Sequence, residues 1–149
     1  MKELYKENLW NKIHEEINSL KNDESMKGFF KKSVLDFDNL TDSITYVISN
    51  KLINDDMFES NIIDNIREAF LDDSILIAIE EDINEVFKKD PACNYLFQPL
   101  LFYKGFHSIT AYRVANYWLN EKPSFSMYIQ SIVSEKFNVD IHPNAKIGK

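Results

Sequence analysis

Three histidines, one cysteine and one aspartate set before a proline are the residues whose type and setting could do chemistry. His14-Glu15 would open the zinc-protease helix motif if a second histidine stood four residues on. Position 18 is Asn, so the motif is absent. A di-iron helical bundle needs Glu three residues before each ligating His. Asn11 and Lys104 occupy those places before His14 and His107. His14 therefore reads as a solvated helix residue. His107 and Ser108 are adjacent, so on a helix they point apart and cannot form a nucleophile–base pair. No Gly-x-Ser-x-Gly turn occurs either. His107 reads as a buried, hydrogen-bonded packing residue. Cys93 stands alone, which excludes an intramolecular disulfide and a Cys-rich zinc site and fits a reducing compartment. Gly28, Gly105 and Gly148 are too scattered for a phosphate-cradling loop.

Asp90 leaves two readings open. It follows Lys88-Lys89 at an expected helix C-terminus, immediately before Pro91. Acid there is disfavoured by the helix dipole by about 0.3–1 kcal/mol. Either it is a turn aspartate binding its own backbone, a common use of Asp before Pro, or it is a carboxylate kept for a ligand. The aromatic group Tyr95, Phe97, Phe102, Tyr103, Phe106, Tyr112, Tyr117 and Trp118 could stack on bases. Its helical spacing and acidic surroundings favour core or subunit interface. Lys31-Lys32 and Lys88-Lys89 are too short for basic patches and read as solvated faces.

The elements that must position these residues are helices. Leu9, Trp10, Ile13, Ile17 and Leu20 repeat at helical spacing within 4–21. A short pattern follows at Met26, Phe29, Phe30 and Val34. Thr41 is the expected N-cap of a third helix carrying Leu40, Ile44, Val47, Ile48 and Leu52. Asn54-Asp55-Asp56 reads as a turn. Ile62, Ile63, Ile66, Ala69 and Phe70 form a fourth stripe. Asp72-Asp73 place negative charge at the start of a fifth, whose stripe is Leu76, Ile79, Ile83, Val86 and Phe87. Pro91 ends that helix near Lys89. An irregular connector is expected from Asp90 to Pro99. One long helix follows from Leu101 to Asn120, with Phe102, Phe106, Ile109 and Tyr112 on one face and Ala111, Ala115, Trp118 and Leu119 on another. Pro123 starts a last helix with Met127, Tyr128, Ile132 and Val133 inward.

After residue 137 the period changes. Ile141 and Ile147 stand six apart with small Ala145 between, the mark of a hexapeptide β-helix coil, a fold that needs about three or more repeats for stability.

The chain of 149 residues is about one domain long and can bury a real core. A formal charge of −7 argues against a protein that grips phosphate backbones. No segment approaches the about 18 consecutive apolar residues of a membrane span. MKELYKENLW has no apolar signal core, so export is not expected.

Asp90-Pro91-Ala92-Cys93, then Lys104-Gly105-Phe106-His107, then Ala111-Tyr112-Arg113 resemble serine O-acetyltransferase. The resemblance continues through Tyr128-Ile129-Gln130-Ser131 and Val139-Asp140-Ile141-His142-Pro143 to Ala145-Lys146-Ile147-Gly148. Leu9-Trp10 with Ile13 and Glu16 resembles the family's first helix. The resemblance implies an all-α fold, a multi-helix N-terminal domain over 1–137, with 138–149 beginning a left-handed parallel β-helix of hexapeptide repeats. It implies that the rest of that β-helix would follow this chain.

In the family, the hydroxyl of L-serine attacks the thioester of acetyl-CoA, giving O-acetylserine, the precursor of cysteine. A histidine on the β-helix, oriented by an aspartate, is the general base. It has no counterpart here, so no catalytic residue is assigned, and His142 is not promoted to the role. Acetyl-CoA is implied as cosubstrate of the complete enzyme, with no cofactor or metal bound by this chain. By position in the Asp-Pro-Ala motif, Asp90 is the substrate-binding acid, where the feedback inhibitor cysteine also sits. The resemblance further implies a cytoplasmic homo-oligomer joined through helical domains. It implies O-acetylserine sulfhydrylase as a partner through a C-terminal tail that this chain does not carry, and neither nucleic acid nor membrane. The alternative is a non-catalytic helical oligomerisation or regulatory module, or an inert truncated remnant.

Overall fold

A computed structural model describes residues 9–20, 22–53 and 59–149, and among them there are helices and no strand. The order is α1 (Leu9–Ser19), α2 (Lys27–Phe30) running into a π-helical turn (Lys31–Leu35), α3 (Leu40–Leu52), α4 (Glu59–Phe70), α5 (Asp73–Lys89), α6 (Phe97–Phe102), α7 (Lys104–Trp118) and α8 (Pro123–Phe137). The expected first helix is present from Leu9 onward. Its proposed first residues and the Asn54-Asp55-Asp56 turn lie outside the described residues.

The helices turn most of each predicted stripe to the core, but Phe29, Ile63, Phe102 and Met127 are exposed. Ile13, Ile44, Ile48, Ile66, Ile79 and Ile83 are fully enclosed in one core. Ile63 and Met127, expected inward, are 36% and 60% exposed. Ser126 and Ile129 take the inward face of α8 instead. Ser126 is small enough to bring α8 against α7, and its hydroxyl donates to Ala115 O at 2.5 Å.

Side chains satisfy the starts of α3 and α5 and the end of α3, where backbone groups would otherwise be orphaned. Asn39, rather than Thr41, caps α3: its side chain accepts from Asp42 N, and Thr41 lies inside the helix, nearly buried. Sequence favoured Thr41 as an ordinary capping residue, but Asn caps at least as well and stands two residues earlier. Asp72 caps α5 by accepting from Ser74 N and Ile75 N. At the other end of α3, Tyr128 Oη donates to Leu52 O at 2.6 Å and Lys136 Nζ to Lys51 O at 2.6 Å, so α8 closes it. Asn138 ends α8 in the left-handed conformation at φ 55°, which Asn tolerates better than most residues.

The expected helix from Leu101 to Asn120 is broken in two. Tyr103 is extended at φ −92° and ψ 110°, separating α6 from α7. The break deprives Leu100 O of its helical partner, and His107 Nε2 donates to it at 2.8 Å. His107 is 2% exposed, as a packing histidine should be. The connector expected from Asp90 to Pro99 is correspondingly shorter, ending at Leu96. Pro99 falls in the first turn of α6, where its missing N–H costs nothing. Glu16 of α1 accepts from Phe97 N at 3.3 Å, which ties the first helix to that turn. Burial holds its carboxyl above the usual range, opposed by those backbone N–H groups.

Candidate functional site

Asp90 is the C-cap of α5, at φ −87° and ψ 111°, and its own N–H donates to Val86 O at 2.9 Å. Its Oδ1 accepts from Ala92 N at 2.8 Å, and Cys93 N donates to Asp90 O at 3.1 Å. Asp90-Pro91-Ala92-Cys93 is thus a compact turn fastened by its own first side chain. Cys93 is fully buried, its thiol donating to Tyr95 O at 3.4 Å. Gln98 Oε1 accepts from Asn94 N at 2.6 Å and from Tyr95 N at 2.8 Å, which completes the connector. The backbone-binding reading of Asp90 is correct as far as Oδ1 goes.

The same residue also lines a cleft. Glu85, Val86, Lys89 and Asp90 from the last turns of α5 face Phe102, Tyr103, Lys104, Gly105 and Phe106 from the α6–α7 break, around a volume of about 770 Å³. A second hollow of about 460 Å³ shares Glu85, Val86, Lys89, Gly105 and Phe106 and extends to Glu81, Asp82, Ile109 and Lys149. The break at Tyr103 thus forms one end of a groove whose other wall is α5. Desolvation raises the Tyr103 hydroxyl above its ordinary range, and the Cys93 thiol and the Asp90 carboxylate add to that rise. Tyr103 is a neutral donor or acceptor beside Asp90 at physiological pH. The groove therefore offers a carboxylate, an apolar floor of Val86 and Phe106, and a rim bearing both signs of charge. That combination suits a small cationic or zwitterionic ligand with an ammonium group.

The segment after α8 has no regular structure, and its last residue, Lys149, lines the smaller hollow. Its carbonyls are taken one after another by α7: Asn116 Nδ2 donates to Pro143 O at 2.7 Å, Tyr112 Oη to Ala145 O, and Arg113 to Gly148 O at 3.3 Å. Arg113 also pairs with Asp82 of α5 at 2.8 Å, with its side chain 8% exposed. Burial raises the Asp82 carboxyl, and the hydrogen bond and charge of Arg113 oppose that rise. From the residues alone Tyr112 is a packing residue, and Arg113 and Asn116 have no role. The available signal was a cation and two hydrogen-bonding side chains on a helix that is otherwise apolar on two faces.

His14 is not solvated, as expected, but half-buried against the ring of Trp10 at 4.8 Å, with Nε2 enclosed. The spacing did not show this because Trp10, one turn earlier, covers it. His142 is exposed, and its Nδ1 accepts from Asn144 N at 3.1 Å to shape a turn. Of the aromatic group, Phe97, Phe106, Tyr112 and Trp118 are core, while Phe102 and Tyr117 are exposed. Lys31, Lys32, Lys88 and Lys89 are exposed, as expected of solvated faces. Among the described residues no three His, Cys, Asp or Glu side chains converge to hold a metal ion. Among them, too, no helix is long and apolar enough to cross a membrane.

Residues 9–111 match the family model described as serine acetyltransferase, N-terminal. The chain is 42% identical over 143 residues to the serine acetyltransferase of Buchnera aphidicola subsp. Acyrthosiphon pisum, covering 94% of this chain and 52% of that protein. A solved serine acetyltransferase in complex with CoA superposes with a TM-score of 0.89 at 37% identity, over 94% of this chain and 61% of the other. The Neisseria gonorrhoeae serine acetyltransferase in complex with serine does so with a TM-score of 0.85 at 31% identity, over 91% and 57%. The chain spans about half the length of the curated relatives it matches.

Proposed function

The chain belongs to the serine acetyltransferase family, matching its N-terminal region, and we propose that it supplies the amino-acid-anchoring wall of such an enzyme's active site. The reaction is acetyl transfer from acetyl-CoA to L-serine. The serine hydroxyl oxygen forms the new ester bond, the thioester C–S bond breaks, and CoA leaves as the thiol. The hydroxyl proton goes to a general base outside residues 1–149. In this reading Asp90 takes the substrate ammonium, and the chain contributes no base and no thioester site.

One observation carries the proposal. Asp90 is held rigidly by its own turn while its residue lines the groove between α5 and the α6–α7 break. A carboxylate fixed before the ligand arrives loses little entropy on binding, and a charge-assisted hydrogen bond to an ammonium is worth about 1.5–3 kcal/mol. The solved relatives with serine and with CoA support the same substrates. Within this reading, residues 1–137 are the helical domain and 138–149 lead into the first β-helix coil. The assembly is a cytoplasmic homo-oligomer joined through helical domains. The exposed rings of Phe29 and Phe102, stacked at 5.8 Å, are compatible with burial between subunits. The test is acetyl transfer to L-serine by residues 1–149 fused to the second half of the Buchnera enzyme. Release of CoA that depends on L-serine supports the reading, and a folded fusion without turnover overturns it.

A further inference from the structure

We propose that Arg113 is a positioning residue that joins the wall of the Asp90 groove to the segment 143–148, so that the two move as one unit. Its side chain is 8% exposed, and one terminal nitrogen, Nη2, donates both to Asp82 Oδ2 on α5 at 2.8 Å and to Gly148 O at 3.3 Å. Asp82 lies eight residues, about two turns, before Asp90 on the same helix and lines the hollow continuous with the Asp90 cleft. The opposite wall is α7 itself, where Ile109 lines the hollow one turn before Arg113. The guanidinium therefore fastens the two walls together at the foot of the groove and sets how far apart they stand.

The segment has no helix or strand of its own to fix its path. Arg113 is the central member of a strip with Tyr112, which donates to Ala145 O, and Asn116, which donates to Pro143 O at 2.7 Å. Of the three, Arg113 alone also reaches α5. Without it, the partly buried Asp82 carboxylate would lose its counter-charge, so α5 would shift or admit water. Lysine would restore the charge, but its shorter side chain ends about one bond length nearer the backbone, so its ammonium would not reach both acceptors that Nη2 serves. A ligand ordering the groove would accordingly order the segment, and the segment's docking would narrow the groove. That the groove holds an amino acid rests on the proposed function; the coupling rests on the contacts alone.

Amide hydrogen exchange of the 149-residue chain tests the coupling. Arg113→Lys is expected to speed exchange about tenfold or more at Asn144 and Ala145, whose N–H groups are bonded to His142, and in 82–90, while α3 and α8 stay at wild-type rates. Tyr112→Phe is expected to speed exchange at Asn144 and Ala145 alone. A merely structural arginine would instead raise exchange in α3 and α8 by the same factor. That result, or unchanged exchange in either coupled region, overturns the proposal. In the fused enzyme Arg113→Lys is expected to raise KM for L-serine with kcat kept; a fall in kcat at constant KM also overturns it. An inactive wild-type fusion would refute the serine reading and leave the exchange result to judge the coupling.

Discussion

Two substitutions at Asp90 separate its turn from its charge. Oδ1 accepts from Ala92 N at 2.8 Å, and a bond of this kind contributes about 0.5–1.5 kcal/mol. Asp90→Ala removes it, so Tm should fall by about 2–4 °C per kcal/mol lost in a chain of this length. Asp90→Asn keeps an oxygen for Ala92 N. It also removes a negative charge from the C-terminal end of α5, where the dipole opposes it by about 0.3–1 kcal/mol. Its Tm should equal or slightly exceed that of the wild type. The ligand contact behaves differently. An amide cannot replace a carboxylate opposite an ammonium, and the loss of about 1.5–3 kcal/mol corresponds to about 10- to 150-fold in kcat/KM for L-serine. Both variants should show it. The assay is CoA release by the fused enzyme over a range of serine concentrations, beside thermal melts of the same samples. Unchanged kcat/KM in Asp90→Asn would refute the assignment of the ammonium to this carboxylate. A melt of Asp90→Asn as low as that of Asp90→Ala would refute the account of the turn.

Three further outcomes are expected. Burial holds the His107 imidazole below its ordinary range, opposed by its bond to Leu100 O. As pH falls through about 6.5, the unfolded chain takes up a proton that the folded chain refuses. Stability is therefore lost toward the folded-state pKa. Melts between pH 7.5 and 5.5 should show wild type losing Tm relative to His107→Gln, which still donates to Leu100 O; a constant difference would contradict this. Asn39→Ala should cost about 0.5–2 kcal/mol by uncapping α3, read by denaturant unfolding, whereas Thr41→Val should leave the cap intact. Sedimentation of the 149-residue chain at micromolar concentration should show a dimer or larger species, and monomer alone would contradict association through the helical domain.

The helical stripes were legible because apolar residues at 3.6-residue spacing have one way to reach a common core. The end of α5 was equally plain, since Pro91 forbids continuation. The break at Tyr103 was not. Residues 101–120 keep helical spacing across it, and its hydrogen-bonding remedy, His107 to Leu100 O, joins residues that look unrelated in sequence. The Thr41 cap failed because a good capping residue lay two positions earlier. At the groove, Asp before Pro offered the bond to its own backbone that Oδ1 makes with Ala92 N, but not the α6–α7 break that faces it. The Asp82–Arg113 pair was hidden because it joins residues 31 apart on different helices. Position 82 alone reads as one more acid on the solvent face of α5.

The most direct measurement is CoA release from acetyl-CoA with L-serine by residues 1–149 alone, set beside the fusion to the second half of the Buchnera enzyme. Turnover is expected of the fusion and none of the 149 residues, which in the proposed reading hold the amino group but neither deprotonate the hydroxyl nor bind the thioester. Serine-dependent turnover by the 149 residues would place the base and the thioester site among these helices and contradict it.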